Sequence, residues 1–493
     1  MVQLSDYQAS LDNQVMFGGQ TTIEDLDNLN KALSAEDITG RDTTNLTNAS
    51  GAPLKVESLD KTLKVLTHSE QDVTIWKNIP QSPAYNTVEE YNQLASYGAD
   101  RGGFNNEGET PVEEDSVYIR RAQLVKFLGV TKSVTHPMQL VNTHVGSIID
   151  REVKNGTLWI LRKIDRALYF GDESIIPQEF NGLLTQHQKN DAFLTTDDYM
   201  NSGLVVDLRG KILSEEAIED AANTIVENFG RPTQLYAPPK VLSDFVKNFY
   251  GNKFIQPNTA ALTDGVMGQK VKSFESQFGN IGLNYDIFFN KAPNKAFNAA
   301  QTSQSSPNAP TAIGAVPVAT DALGKFAAAD AGDYIYAVSA INRFGESAMT
   351  VINTTPATIV AGGAIDIQFT DTPSIYPASG YIVYRSQKNA TTAATSTFAP
   401  LFQLSKQQML SGYDGAAANT VRDRNRYLPN TNRSFLAQWD TDVVEFKQLA
   451  PLMKMDLAIV SPAYRFMVLL YGTPFLYNPK KFVQFINIGT ELP

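Results

Sequence analysis

Between Ile79 and Asp172 the chain runs out and back in two polar legs, then passes at once into a long helical pattern. The return leg, Val117 to Val134 (VYIRRAQLVKFLGVTKSV), has the β-branched and aromatic composition of a strand, with Arg120, Arg121, Lys126 and Lys132 set into it. Before it lies a tip, GADRGGFNNEGETPVEED, in which Asp100, Glu107, Glu109, Glu113, Glu114 and Asp115 outnumber the single Arg101. A two-stranded ribbon alone is at best marginally stable in water. A chain that spends this much sequence on one is expected to lay it on another subunit. That points to a shell or lattice, not to an enzyme pocket.

The outgoing leg, Tyr85 to Tyr97, carries two signals. Thr87 with Glu90 makes a capping box and Gly98 a helix stop, whereas period two puts Tyr85, Tyr91 and Tyr97 on one face of a strand. The strand is preferred because the return leg needs a partner. From Met138 to Phe170 the apolar residues Val141, Val145, Ile148 or Ile149, Val153, Gly156, Ile160, Ile164 and Leu168 recur at helical spacing. The spacing predicts one helix of roughly 50 Å, with Gly156 as a point of bending.

Residues 1 to about 70 are polar and weakly patterned, apart from a short amphipathic stretch at Thr22–Leu33, and read as an extended arm. Beyond the long helix, Ser214 caps a helix that runs to Gly230, followed by a strand at Gln234–Ala237, the Pro238-Pro239 break and a helix over Lys240–Phe249. Strands joined at Gly279 and Asn280 complete an α+β pattern. Near Ala300 the composition changes to a Ser/Pro/Asn linker and then to Ala, Thr and Gly with few charges. Short alternating strands follow at 333–347, 364–370 and 380–387, the spacing of a small β-sandwich. Mixed α+β character returns after Asn430, so the sandwich reads as an insertion.

At 493 residues the chain has room for several domains, taking roughly 150 residues for each. A net charge of −11 argues against a protein that grips nucleic acid through its phosphates, though not against one that encloses it. With no Cys, disulfides, thiolate metal sites and cysteine nucleophiles are ruled out. No apolar stretch reaches the roughly 18 residues of a membrane span. The N-terminal sequence lacks the basic start and apolar core of a signal peptide. A soluble protein, by default intracellular when made, is expected.

No catalytic constellation emerges. Gly324-Lys325 is followed by Phe326 and lacks the earlier glycine of a phosphate loop, and Gly345-Glu346-Ser347 lacks the closing glycine of a nucleophile elbow. His68, His136, His144 and His187 show no zinc spacing; Asp440 with Asp442, and Asp197 with Asp198, match no calcium loop. No catalytic residue, metal or cofactor is expected. The one electrostatic pattern is the acidic tip set against the basic return leg. Arg101, Glu107, Glu109, Glu113, Glu114, Arg120, Arg121 and Lys126 are therefore the candidate intersubunit contacts.

The stretches VEEYNQLASYGADRGGFNNEGETPVEEDSVYIRRAQLVKFLGVTKSV (88–134) and PQEFNGLLTQ (177–186), with the order arm, ribbon, long helix, α+β domain and C-terminal return, resemble the major capsid proteins of tailed bacteriophages with the Hong Kong 97 fold. The resemblance implies an N-terminal arm at 1–78, an extended β-hairpin loop at 79–134 and a peripheral domain with its spine helix at 135–203. It further implies an axial domain at 204–299 and 429–472 and C-terminal strands at 473–493 that return to the peripheral domain. Residues 300–428 resemble an inserted immunoglobulin or fibronectin type III-like module, although DYIYAVSAINRFGES and GYIVYRSQ stand in reversed order.

The function so implied is that of a non-enzymatic head protein, assembled in the host cytoplasm into the icosahedral or prolate shell of a virion. Its partners would be itself in pentamers and hexamers, portal, scaffold and decoration proteins, and packaged double-stranded DNA held without sequence-specific contact. An encapsulin-like container of protein cargo and a decoration or tail protein are the alternatives.

Overall fold

The long helix and the strands that flank it organise the core. The computed structural model describes residues 67–98, 104–110, 113–141, 147–189, 196–252, 271–289, 292–297, 299–458 and 461–490. The arm up to residue 66, with its Thr22–Leu33 stretch, lies outside the described residues.

The first described segment is core and not arm. Helix α1 (Ile75–Asn78) and the residues around it bury Val73, Ile75 and Ile79. Then come β1 (Gln81–Pro83), β2 (Val88–Ser96), β3 (Val117–Leu124) and β4 (Lys126–Thr135). The outgoing leg is indeed a strand, β2, antiparallel to β3. The return leg, expected as one strand, is two. It breaks at buried Val125, and its second half leaves the hairpin to join another sheet. The hairpin proper is therefore shorter than the 79–134 loop expected.

The long helix is also shorter than its spacing suggests. A brief helix, α2 (His136–Leu140), has Pro at its start, and α3 runs from Ile148 to Phe170, 23 residues or roughly 35 Å. Ile160, Ile164 and Leu168 form its buried stripe, one turn apart, while Arg162 and Lys163 stay exposed. Gly156 marks a close approach: a Cβ there would lie 3.1 Å from Val468 Cγ2. Helices α4 (Leu183–Gln188) and α5 (Thr196–Met200) follow.

The next strands and helices are β5 (Val205–Asp207), α6 (Glu215–Glu227), β6 (Gln234–Ala237), α7 (Pro239–Asn252), β7 (Ser273–Ser276) and β8 (Gly279–Tyr285). Ser214 caps α6 as its sequence predicts, its hydroxyl accepting from the Ala217 N–H at 3.3 Å. Ala217, Ile218, Ala221, Ala222 and Ile225 bury the inner face of α6 against Leu235, Leu436, Val483 and Phe485.

Residues 295–423 hold β9 (Lys295–Ala296), β10 (Thr311–Val318), β11 (Gly332–Tyr334), β12 (Tyr336–Asn342), β13 (Gly345–Glu346), β14 (Thr350–Val351), β15 (Ala357–Ile359), β16 (Ala364–Thr370), β17 (Gly380–Ser386), β18 (Thr397–Ser405), the short α8 (Lys406–Ser411) and β19 (Thr420–Asp423). One sheet has the order β10-β16-β19. Another has β13-β12-β17-β18-β9 with β14 beside β12, and β11 pairs with β15. Ile365, Ile367, Phe369 and Val421 of the first sheet share one cluster with Tyr336, Val338, Tyr381, Val383 and Leu404 of the second. The opposite face of β12 and β17 packs Ala337, Ile341, Ile382 and Tyr384 around Ile175, in the turn after α3. Burial on both faces explains why β17 has no exposed position.

The chain ends in β20 (Asn432–Ala437), β21 (Val444–Asp456), β22 (Ala463–Leu476) and β23 (Phe482–Ile488). The four-stranded sheet β1-β21-β22-β4 packs on α3, and the six-stranded sheet is β5-β23-β20-β6-β8-β7. This differs from the expected division. Most of 429–472 lies in the sheet beside α3, and the last strand joins β5 and β20. Adjacency in sequence does not decide which free edge a strand takes.

Candidate assembly interface

Alternation along β2 and β3 divides the hairpin into two faces. On the inner face Tyr91 meets Phe475 and Tyr477 edge to face at 5.4 and 4.9 Å, and Gln93 Nε2 donates to the Tyr477 carbonyl. Glu89 sits 3.6 Å from Lys447 and takes the N–H groups of Tyr85 (2.7 Å) and Asn86 (2.9 Å). Partial burial raises the Glu89 carboxyl, but these two donors and Lys447 outweigh it and hold its pKa below the usual range. The inner face thus fastens the hairpin to its own body.

The outer face has no such cover. Its cross-strand rows are Val88 opposite Leu124, Glu90 opposite Ala122, Asn92 opposite Arg120 and Leu94 opposite Tyr118, all of them exposed. Tyr118 is 71% exposed, and beyond the strands Tyr85, Tyr97 and Phe104 stand at 88, 86 and 102%. Tyr85 and Tyr97 lie outside the strand and do not share the face of Tyr91, and the pairing shifts register between Leu94 and Ser96. Apolar side chains at both ends of the outer face, with the Arg120–Glu90 ion pair between them, form a surface suited to a partner.

The structure separates the candidate contacts. Glu107, Glu109, Glu113 and Glu114 are all exposed at the tip. Glu109 closes a turn there, its Oε2 accepting from Asn106 N–H (3.1 Å) and Nδ2 (3.0 Å). Arg120 lies on the outer face, and Arg121 turns inward, its Nε donating to Gln93 Oε1 at 2.7 Å. Lys126 belongs to β4 and is engaged within the chain by Glu173 and the Pro177 carbonyl. Its side chain is turned to its own body. Arg101 lies outside the described residues.

A cleft of about 260 Å³ opens beside the hairpin, lined in part by Arg120, Arg121, Lys189, Asn181 and Gln186; Arg120 is paired with Glu90, and Lys189 with Asp172 at 2.6 Å. Asn181, Gln186 and Lys189 were missed in the sequence because nothing local ties them to the hairpin. Only the fold brings the turn after α3 beneath β3. Gln186 is fixed there, donating to the carbonyls of Asn181 (2.6 Å) and Pro474 (2.9 Å) and accepting from the Leu476 N–H.

Elsewhere the polar candidates serve the fold. His187 is buried with Nδ1 2.8 Å from the Tyr199 hydroxyl, and His68 meets the Leu158 carbonyl at 3.1 Å. His144 lies outside the described residues. Asp440 shapes a turn by accepting the Asp442 N–H at 3.2 Å. Among the described residues no group of three or more His, Asp or Glu side chains is arranged to hold a metal ion, and no helix is long and apolar enough to cross a membrane.

A mixed helix-and-sheet body that projects a hairpin with an apolar, charged outer face is the form of a shell-building structural protein. The chain belongs to the SU10 major capsid protein family, whose profile matches residues 38–308. Members of this family are structural proteins and not enzymes. The chain is similar to the major capsid proteins of Staphylococcus phages K and S25-3, 24% and 25% identical over 470 residues, which cover 91% of this chain and 93% of each relative. Among solved structures it is similar to the capsid of an empty GTA particle (TM-score 0.43, 8% identity, 89% of this chain and 97% of that one). The same holds for the holo-SrpI encapsulin complex from Synechococcus elongatus PCC 7942 (TM-score 0.41, 8% identity, 89% and 94%).

Proposed function

We propose that this major capsid protein has the Hong Kong 97 fold and builds the head of a tailed phage from pentamers and hexamers, around double-stranded DNA that is confined and not recognised. The observation that carries this reading is the hairpin: held to its own body on one face, it leaves Leu94, Tyr118, Leu124 and Val88 exposed on the other. Such a face gains stability only when a second copy covers it. Portal, scaffold and decoration proteins are its further partners, the virion its location and the host cytoplasm its place of assembly. In this reading residues 300–428 are an inserted immunoglobulin-like β-sandwich, supported by the two sheets that share one apolar cluster.

The acidic tip of one subunit, Glu107, Glu109, Glu113 and Glu114, meets the basic cleft of its neighbour at Arg120, Arg121 and Lys189. Single exposed pairs contribute only about 0–1 kcal/mol, so register comes from several acting together.

The first test is negative-stain electron microscopy of the purified, concentrated chain, alone and co-expressed with its scaffold. Rings, capsomers or closed shells are expected, and dispersed monomers under both conditions would overturn the reading. Glu113→Lys with Glu114→Lys is expected to block assembly while leaving thermal unfolding unchanged; Arg120→Glu with Arg121→Glu is expected to block assembly too, with some loss of stability because Arg120 pairs with Glu90 and Arg121 with Gln93. Combining all four should recover shells. Normal shells from the acid-reversed variant would rule out the tip contact alone. Shells that enclose protein in place of nucleic acid would overturn the genome-container part.

A further inference from the structure

Three polar atoms lie buried without a hydrogen-bond partner beside one another in the core: Asp165 Oδ2, Asp286 Oδ2 and the Tyr169 hydroxyl. All three residues are fully buried. Asp165 and Tyr169 stand one turn apart on α3, and Asp286 follows β8 at the head of the turn Ile287–Phe289. The two carboxyl groups face each other, and Asp286 faces Tyr169. Backbone donors hold them in place. Trp76 N–H donates to Asp165 Oδ1 at 2.9 Å and Phe288 N–H to Asp286 Oδ1 at 2.8 Å. The N–H groups of Thr74 and Ile75 point to Asp165 and Asp286 respectively.

The other titratable groups facing the pair are Tyr169 itself and Tyr236 of β6, whose hydroxyl accepts from Asn78 Nδ2 at 3.2 Å. The His68 ring packs on Phe288, edge to face at 5.6 Å.

Two carboxylates that face each other in a buried core cannot both be ionised. One proton resolves all three orphaned atoms. Carried on Asp165 Oδ2, it donates to Asp286 Oδ2, and the Tyr169 O–H donates to the same carboxylate. We propose that Asp165 and Asp286 share a single proton, and that this proton-held pair is an alkali-sensitive clamp fastening α3 to segments 74–76 and 286–289.

Burial, and then the neighbouring Asp286, keep Asp165 protonated up to about pH 8. In the unfolded chain the same group releases its proton near 3.8. Between those values folding takes up a proton, so the clamp's stability is complete at low pH and is lost as pH rises. One proton corresponds to a tenfold fall in the folding equilibrium constant per pH unit. Above about pH 8 the slope ends.

The test is the pH dependence of unfolding of the full chain between about pH 6.5 and 8, for wild type, Asp165→Asn and Asp286→Asn. Either amide can donate across the pair without titrating. Relative to wild type, Asp165→Asn is expected to gain about tenfold in folding equilibrium constant for every unit of rising pH, and Asp286→Asn, which leaves Asp165 buried, to gain less. The same pH dependence in folded variants and wild type would overturn the clamp. Infrared spectroscopy of the wild-type chain, which needs no variant to fold, gives a second reading. A protonated-carboxyl band should persist at pH 7 and vanish as pH passes about 8. A missing band at pH 7, or a stability that falls on adding EDTA, would assign the pair to a cation and sink the proposal.

Discussion

Lys126, the first residue of β4, places its Nζ 2.7 Å from Glu173 in the turn after the long helix, where it also donates to the Pro177 carbonyl at 2.8 Å. Its side chain is 14% exposed and that of Glu173 37%. The contact stands where the return leg quits the hairpin for the body, so its role is to fix the root. Lys126→Met is expected to cost about 1 kcal/mol in denaturant unfolding, a partly buried pair plus a charged hydrogen bond discounted for solvent, and to leave shell assembly intact. Failed assembly with unchanged stability would return Lys126 to the outer contacts.

Gly156 is where α3 comes nearest β22 and β4. A Cβ would meet Val468 at 3.1 Å and Val130 at 3.6 Å, and Lys132 Cγ at 3.8 Å. Gly156→Leu should destabilise by about 1–3 kcal/mol through overpacking. Gly156→Ala should stay within about 1 kcal/mol of wild type, because better helix propensity offsets the small displacement. Thermal unfolding of the two variants checks the order; equal effects would mean the approach is not tight.

In the all-β region Arg385 is buried with Asp423, Nη1 to Oδ2 at 2.9 Å, and Asn425 Oδ1 takes its Nη2 at 2.9 Å. The Tyr336 hydroxyl donates to the same Asp423 oxygen at 2.8 Å. Asp423→Ala leaves a guanidinium in the core without its anion and should cost about 3–5 kcal/mol. The double variant Arg385→Met with Asp423→Leu should recover most of that. Guanidinium chloride unfolding measures both, and an equally unstable double variant would show that the pair itself stabilises the fold.

Burial drives the pKa of His187 down from 6.5 to about 3, against smaller raising effects from the backbone at Phe482 and Pro479. The Tyr199 hydroxyl donates to Gln484 at 2.8 Å, so its oxygen accepts from His187 Nδ1–H. The folded state therefore refuses a proton that the unfolded chain accepts. Stability is complete above about pH 6.5 and is lost towards pH 3, at about 1.4 kcal/mol per unit. Across about pH 4 to 6.5 this opposes the Asp165 effect, so these two contributions largely cancel there. His187→Gln should unmask a fall in stability as pH rises through that window. A variant with the same pH dependence as wild type would contradict the His187 assignment.

Local pattern exposed the hairpin strands, α6 with its Ser214 cap, and the strands around 333–387, because side-chain alternation and capping are properties of neighbouring residues. It overran where neighbours alone do not decide. Apolar spacing from Met138 suggests one helix where the described chain has the short α2 and then α3 from Ile148, and the return leg looks continuous through Val125 although its halves enter different sheets. Of the candidate contacts, the tip glutamates are exposed as an acidic loop should be. Lys126 differs only because the fold sets Glu173 against it.

Residue pattern alone marks a two-legged ribbon, an amphipathic helix and an α+β body, with no motif that assembles a catalytic group. Those traits follow from periodicity and residue type, which act over a few residues. Which strand edges pair, which charges are buried and which acids meet depend on how distant segments pack. Asp165 and Asp286 carry no local sign of each other; they interact because packing of α3 against the turn after β8 removes water from both, and a carboxylate without water must find a donor or a proton.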